Sequence, residues 1–379
     1  APVRGSLYVT VILTATVFAM ATGIVGAAVT VLGIMAAPIM IKTGYDAKLS
    51  AGAITAGGTL GILIPPSVML VVMGPVLGVS VADLYAAAFG PGFLLATLYV
   101  AYLMARSFLN PKLGPPVPIE ERTHSVWFMV REVLIGVVPL LALISATLGS
   151  ILAGLATPTE AAGVGATGAL ILSIAYGRFT LPSFQRAMHA TMATSSMVLL
   201  LAVTSNIFGA VFARLGTANW ITESLLSFQL PPTLMLVLVL VLIFILGWPF
   251  EWPAIVLVFL PIFYPVVVGM QIDLVWFGAL VAVVLQTAFL SPPVAMSAYY
   301  LKQVVKEWNL KTIYAGMFQF MILQLICIAL LVAFPKIATW FPETLQAAAR
   351  ARTIPPEHQQ ILDRQRSAPS SLEDDSWAR

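Results

Sequence analysis

Two segments of this chain place glycine, proline and hydroxyl residues inside strongly apolar sequence. Residues 57–67 read GGTLGILIPPS and residues 289–294 read FLSPPV, with the two Pro-Pro pairs 227 positions apart. Glycine adds backbone freedom, and proline lacks an N–H and clashes with the preceding turn, so a helix is predicted to break at each pair. The freed carbonyl oxygens and nearby hydroxyls suit a hard cation such as Na+ or a small solute, and half-helix ends add favourable dipoles. The residues predicted to contribute to these two breaks are Gly58, Thr59, Gly61, Pro65, Pro66, Ser67, Thr287, Ser291, Pro292 and Pro293.

An isolated break of this kind also has a purely structural explanation. A proline kink can pack between helices while water or a serine hydroxyl satisfies the freed backbone. Two breaks at equivalent positions favour the functional interpretation.

Two polar centres flanked by short apolar arms predict re-entrant hairpins, over 7–43 and 232–270. Each arm has only about 15 residues, fewer than the roughly 20 that a spanning helix needs. The first centre contributes Thr22, Gly23 and Gly26 as site residues, and the second contributes Gly247 and Glu251. An ionisable residue near the membrane interior is a functional hypothesis. Glu251 could coordinate Na+, carry a proton or pair with a cation, or it could simply be solvated in an aqueous vestibule.

The composition is that of a membrane protein. The 379 residues are 60% hydrophobic and 9% charged, against roughly 25% charged in a soluble domain, and the mean hydropathy is +0.97. The small net charge of +3 argues against a nucleic-acid partner. One cysteine, Cys327, excludes an internal disulfide. No set of catalytic residues is recognisable, so an enzyme is not expected.

The apolar segments form an internal repeat. Full spans are predicted at 83–105, 132–153, 159–177, 185–213 and 313–335, and interrupted helices at 46–80 and 273–303. At the constant shift that relates the two Pro-Pro pairs, the identities are Pro38 with Pro265, Asp46 with Asp273, Leu63 with Leu290, and Pro65-Pro66 with Pro292-Pro293. Lysine and arginine concentrate on the side of residues 106–131, which makes that side cytoplasmic. The hairpins then enter from opposite sides. The predicted fold is an all-α polytopic membrane protein with an inverted-topology repeat, two re-entrant hairpins and two broken helices.

The repeat also predicts the domain organisation. The first repeat covers 1–105, a cytoplasmic linker 106–131, the second repeat 132–341 and a polar tail 342–379. Three spans precede the second hairpin and none precede the first. We therefore expect three further N-terminal helices, on the order of 90 residues, in the complete first repeat.

Two other polar groups have structural explanations. The segment 156–162, ATPTEAA, is typical of a capped helix start. The hydroxyls and the amide along 185–213 are typical of close packing between membrane helices.

The motif at 57–67, followed by ATPTEAA at 156–162 and SPPV at 291–294, resembles the large membrane subunit of TRAP transporters, the tripartite ATP-independent periplasmic transporters. The resemblance covers residues 1–340. It implies a sodium-coupled elevator transporter with a small four-helix membrane subunit and a periplasmic substrate-binding protein. Family sodium and substrate sites would map to 22–26, 58–67, 247–253 and 287–293. The first tip, TGIVG, departs from the Gly-Ser-Ser of many members, and EWP at 251–253 replaces Asp-Pro. Both changes resemble a branch labelled for mannitol or chloroaromatic compounds.

The expected function is therefore the large permease of a sodium-driven symporter that imports a small organic acid across a bacterial inner membrane. Na+ is the coupling ion, and no other cofactor is expected. One alternative is a stand-alone sodium- or proton-coupled organic-anion transporter. Another is a membrane protein that transports nothing, such as an assembly scaffold or an intramembrane enzyme, which the absence of a catalytic set disfavours.

Overall fold

A computed structural model describes residues 3–116, 126–293 and 295–353 of the chain. These residues fold into helices joined by short connections, and no strand occurs among them. The first-repeat helices are α1 Ser6–Thr22, α2 Val25–Lys42, α3 Ala47–Thr59, α4 Val68–Leu77 and α5 Val81–Leu109. The helices that follow are α6 Val126–Gly136, α7 Val138–Leu152, α8 Pro158–Ala175, α9 Leu181–Arg214 and α10 Thr217–Leu226. The remaining helices are α11 Pro232–Leu246, α12 Trp252–Ala254, α13 Leu260–Gly269, α14 Leu274–Ala288, α15 Met296–Val304, α16 Leu310–Ala333 and α17 Lys336–Thr353.

The first repeat contains the predicted hairpin and broken helix. Helices α1 and α2 pack against each other, and the chain reverses at Gly23, whose φ of +59° is left-handed and favours glycine. The side chain of Asp46 starts α3 by accepting a hydrogen bond from the Leu49 N–H at 2.8 Å. After α3 the chain forms one 3-10 turn over Leu60–Ile62 and becomes helical again at α4. The hairpin and the break predicted from the sequence are confirmed.

The second repeat has the same arrangement. Helix α11 forms one arm of the hairpin, and α12, a π-helical turn over Ile255–Phe259 and α13 form the other. Asp273 caps α14 by accepting from the Trp276 N–H at 2.6 Å, as Asp46 caps α3. Helix α14 ends before the second Pro-Pro pair, and α15 follows it. The two aspartates that the internal repeat pairs in sequence thus have the same structural role.

The two broken helices run in opposite directions. The Asp46 N–H, at the start of α3, donates to the Leu113 carbonyl at 3.1 Å, so α3 begins on the side where α5 ends. Near the start of α14, Ala279 packs with Ala87, which lies near the start of α5, and Val275 lies against the same cluster. Helix α14 therefore begins on the side where α5 begins. This is the inverted topology that the sequence predicted.

Six helical segments in the described ranges are long and apolar enough to cross a membrane. Two of them, Val25–Lys42 and Trp252–Gly269, are hairpin arms, which are longer than the roughly 15 residues expected from the sequence. The span expected at 159–177 is not among the six. Some boundaries differ from the sequence prediction. The span expected at 132–153 is two helices, α6 and α7, separated at Val137. Helix α10 was not predicted, and α17 crosses the expected tail boundary at residue 342. Residues 117–125 of the predicted linker and residues 354–379 of the predicted tail lie outside the described residues.

Candidate functional site

Each hairpin tip lies against the break of its own repeat. A Cβ atom added at Gly23 would lie 3.1 Å from the Pro66 carbonyl oxygen. A Cβ added at Gly247 would lie 3.1 Å from the Cβ of Ala288, the last residue of α14. Glycine thus allows both tips to approach unwound or terminal backbone closely.

The first hairpin also contacts the broken helix of the other repeat. Helix α2 packs along α15, and a Cβ added at Gly26 would lie 2.9 Å from the Tyr300 ring. Tyr300 therefore lies where the first hairpin meets the broken helix of the second repeat. Sequence reasoning did not identify it, because nothing local to residues 299–301 relates them to residue 26.

The hydroxyl groups at the breaks donate to carbonyls of the preceding helical turn. Ser67 Oγ donates to the Ile62 carbonyl at 2.5 Å, and Ser291 Oγ donates to the Thr287 carbonyl at 2.6 Å. Thr22, Thr59 and Thr287 donate similarly to residues three or four positions earlier. A hydroxyl that donates its proton keeps oxygen lone pairs available. Each of these five side chains can therefore still present an oxygen to a cation.

The predicted site residues differ in solvent exposure. Within the two breaks, Pro66 is half-buried, and Pro292 and Pro293 are exposed. At the tips, Thr22 and Gly26 are half-buried and Glu251 is exposed. The fully buried members are Gly23, Gly58, Thr59, Gly61, Pro65, Ser67, Gly247, Thr287 and Ser291. Both Pro-Pro peptide bonds are cis. The described residues include no cluster of three or more His, Cys, Asp and Glu side chains that could hold a metal.

A buried glutamine joins the two breaks. Gln286 Nε2 donates to the Thr59 carbonyl oxygen at 3.0 Å, and both residues are 0% exposed. Sequence reasoning missed this residue, although two signals were present. The internal repeat places Gln286 opposite Thr59, and an amide inside an apolar helix needs a polar partner.

A mainly apolar cavity of about 520 Å³ opens beside the first tip. It lies between Met20 and Ala21 of the hairpin, Pro66 of the break, and helices α7 and α8. Its polar lining includes the side chains of Thr147 and Thr159. The cavity thus adjoins both the first tip and the first break.

The ATPTEAA segment caps α8, as expected. Glu160 Oε2 accepts from the Thr157 N–H at 2.8 Å, and the Glu160 N–H donates to Thr157 Oγ1 at 3.3 Å. This reciprocal pair is a capping box. Thr159 faces the cavity, so the segment borders the candidate site while Thr157 and Glu160 fix the helix start.

The chain is similar to known transporter subunits. Residues 2–337 match the family model described as the tripartite ATP-independent periplasmic transporter, DctM component. The C4-dicarboxylate TRAP transporter large permease protein DctM of Pseudomonas aeruginosa is 30% identical over 350 residues, which cover 90% of this chain and 79% of that protein. Its Rhodobacter capsulatus counterpart is 29% identical over 359 residues, with the same two coverages. The sialic acid TRAP transporter large permease protein SiaM of Vibrio cholerae is 28% identical over 308 residues, 80% of this chain and 70% of that one.

The fold is also similar to a solved structure, the YdaH transporter of Alcanivorax borkumensis. The TM-score is 0.53 at 17% identity, over 89% of this chain and 85% of that one. This likeness concerns the fold alone. The family match and the relatives, together with the paired hairpins and breaks, show that the chain belongs to the DctM family of TRAP transporter large permeases, which are membrane transport proteins and not enzymes.

Proposed function

We propose that this chain is the large permease of a sodium-coupled symporter that imports a small organic acid delivered by a periplasmic binding protein. The observation that carries the proposal is the pairing of each hairpin tip with a helix break, at Gly23 with Pro66 and at Gly247 with Ala288. Unwound backbone beside a tip supplies carbonyl oxygens and helix ends to a bound ion. Two such units provide two places for Na+.

The names of the relatives support an organic anion as the substrate. They specify C4-dicarboxylate, sialic acid and, for a permease protein of Oleidesulfovibrio alaskensis, isethionate, and all three are organic anions. Import of an anion against the membrane potential needs an accompanying cation. Each Na+ that enters contributes about 2.3 kcal/mol per 100 mV of potential, so two ions support concentrative uptake of a monoanion.

An elevator motion fits the distribution of buried side chains. Helices α3 and α14 are buried along most of their length, and the hairpins pack against them. In contrast, α8 and α9 each bury one of their described side chains, Ala161 and Ser205. We propose that the hairpins and broken helices move as one body against a scaffold that includes α7–α9.

Large permeases of this family work with a small membrane subunit and a periplasmic binding protein. For this chain we propose a four-helix small subunit and a bacterial inner-membrane location. The exposed apolar side chains of α9, such as Leu199, Leu200 and Ile207, suit contact with lipid or with that subunit.

The test is uptake in proteoliposomes that contain this chain and its small subunit, with the cognate binding protein outside. The binding protein is first screened against organic acids by thermal shift, and the hit is used as radiolabelled substrate. Uptake is expected only with an inward Na+ gradient and with the binding protein present. Equal uptake in K+ would refute sodium coupling. Uptake without the binding protein would favour the stand-alone transporter.

A further inference from the structure

Gln286 makes the polar contact between the two broken helices. It lies on α14, two residues before that helix ends at Ala288. Its acceptor, the Thr59 carbonyl, belongs to the last residue of α3. One side chain thus connects the C-terminal ends of both helices that lead into the breaks.

The Thr59 carbonyl lacks the donor that a continuous helix would supply. That donor would be the Leu63 N–H, which instead donates to the Leu60 carbonyl at 3.1 Å. The 3-10 turn over Leu60–Ile62 begins at Thr59, and a carbonyl oxygen has two lone pairs. The Gln286 amide therefore adds a hydrogen bond from the other repeat to the Thr59 oxygen, at the point where the α-helical ladder of α3 stops.

The hydrogen bond between the two helices is donated by the Gln286 side chain of α14 and accepted by the backbone of α3. The Thr59 hydroxyl donates within its own helix, to the Ala56 carbonyl at 2.8 Å. The Tyr99 hydroxyl of α5 lies near both Thr59 and Gln324 of α16. Gln286 is the group that links the end of α3 directly to the end of α14.

We propose that Gln286 is a positioning residue that couples the two helix breaks, so that Na+ at one break raises the Na+ affinity of the other. This inference rests on the proposed sodium coupling. A cation that binds carbonyls of 60–67 fixes the end of α3 and, through the Gln286 amide, the end of α14. The end of α14 in turn positions Ser291, whose hydroxyl donates to Thr287. Coupling between two sites is reciprocal and typically spans about 5- to 150-fold in affinity.

The test variant is Gln286→Met, which keeps the length of the side chain and cannot donate to Thr59. The measurement is the unfolding temperature of the purified transporter complex in detergent against NaCl, with KCl at matched ionic strength as reference. Wild-type protein is expected to give a Hill coefficient above 1. The variant is expected to give a coefficient of 1 and a half-saturating NaCl concentration that is about fivefold higher. A fivefold change corresponds to the loss of one neutral hydrogen bond worth about 1 kcal/mol.

Gln324→Met is the matched control. Gln324 is equally buried, at 0% exposure, and lies on α16, where it bonds to neither break. This control is expected to keep the wild-type Hill coefficient. Gln286→Asn, which keeps a buried amide but is one methylene shorter, is the second variant if Gln286→Met does not fold.

Three results would overturn the coupling role: a wild-type Hill coefficient of 1, unchanged cooperativity in the Gln286 variants, or an equal loss in Gln324→Met. If the wild type is cooperative and the Gln286 variants are too, this inference fails alone. If the wild type shows no sodium-specific shift, the proposed sodium coupling fails with it.

Discussion

Gln286 and Thr59 are joined by a side-chain to backbone hydrogen bond of 3.0 Å across 227 positions, the same interval that relates the two repeats. Two residues that are equivalent under a two-fold axis can contact each other only where that axis passes between them. The contact therefore places the pseudo-symmetry axis at the C-terminal ends of α3 and α14. Both breaks begin at this axis, so the two candidate ion sites share one polar junction.

Replacing either Pro-Pro pair with alanine is expected to abolish sodium-dependent uptake. Pro65→Ala with Pro66→Ala, or Pro292→Ala with Pro293→Ala, restores N–H donors and raises helix propensity by about 3 kcal/mol per residue. The helix should then continue through the break and withdraw its carbonyls from the site. Uptake in proteoliposomes measures the effect, with Pro75→Ala inside α4 as the control. Wild-type uptake by either double variant would refute the site assignment.

The contact between the first tip and its break can be tested at Gly23. Gly23 has a φ of +59°, and an added Cβ would lie 3.1 Å from the Pro66 carbonyl. Gly78 is the control, because its φ is +65° with nothing within 4 Å of an added Cβ. Alanine at either position costs about 1–2 kcal/mol in backbone strain. Only Gly23→Ala is expected to lower the apparent Na+ affinity in the uptake assay. An equal effect of both variants would show that strain alone accounts for it.

Local sequence chemistry was sufficient to predict the hairpins and the breaks. Short apolar arms and the Pro-Pro pairs each act within a few residues, so their consequences could be derived from the sequence. Asp46 and Asp273 were recognised only as an identity of the internal repeat, and their capping role came from the structure. The internal repeat, together with the distribution of lysine and arginine, then placed the two halves in opposite orientations.

Contacts between distant segments could not be derived in this way. The approach of Tyr300 to Gly26 depends on α15 packing against α2, and periodicity does not specify which helix packs against which. Gln286 lies in an almost wholly apolar helix, where one amide does not change the predicted element. Its role is apparent only when its partner is known to be the end of α3.

The charge at the second tip gives a further prediction. Glu251 is an exposed carboxylate at the tip of the second hairpin, and we expect Glu251→Gln to weaken apparent Na+ binding about fivefold. A fivefold change corresponds to about 1 kcal/mol, which is roughly the interaction energy of two unit charges 4 Å apart in bulk water. The measurement is the Na+ concentration that half-saturates uptake. Glu223→Gln, an exposed carboxylate on α10, should leave it unchanged. If both variants behave as wild type, Glu251 is a solvated vestibule residue.

Helices α3 and α16 pack closely, and this packing predicts where one added methyl group would destabilise the protein. A Cβ added at Gly316 would overlap the Lys48 carbonyl, and one at Gly52 would lie 2.6 Å from the Phe320 ring. Small residues of this kind allow membrane helices to approach closely. Because the Lys48 carbonyl is backbone, Gly316→Ala can be accommodated only by moving a helix, at a cost of about 1–3 kcal/mol or more.

Gly163→Ala is the matched control for that variant. It adds the same methyl group to a glycine of helix α8, with nothing within 4 Å of the new Cβ. Thermal unfolding of the purified protein in detergent should show a lower midpoint for Gly316→Ala. The control should show an equal or higher midpoint, since alanine is favoured over glycine inside a helix by about 1 kcal/mol. A wild-type midpoint for Gly316→Ala would mean that α3 and α16 can separate without loss of stability.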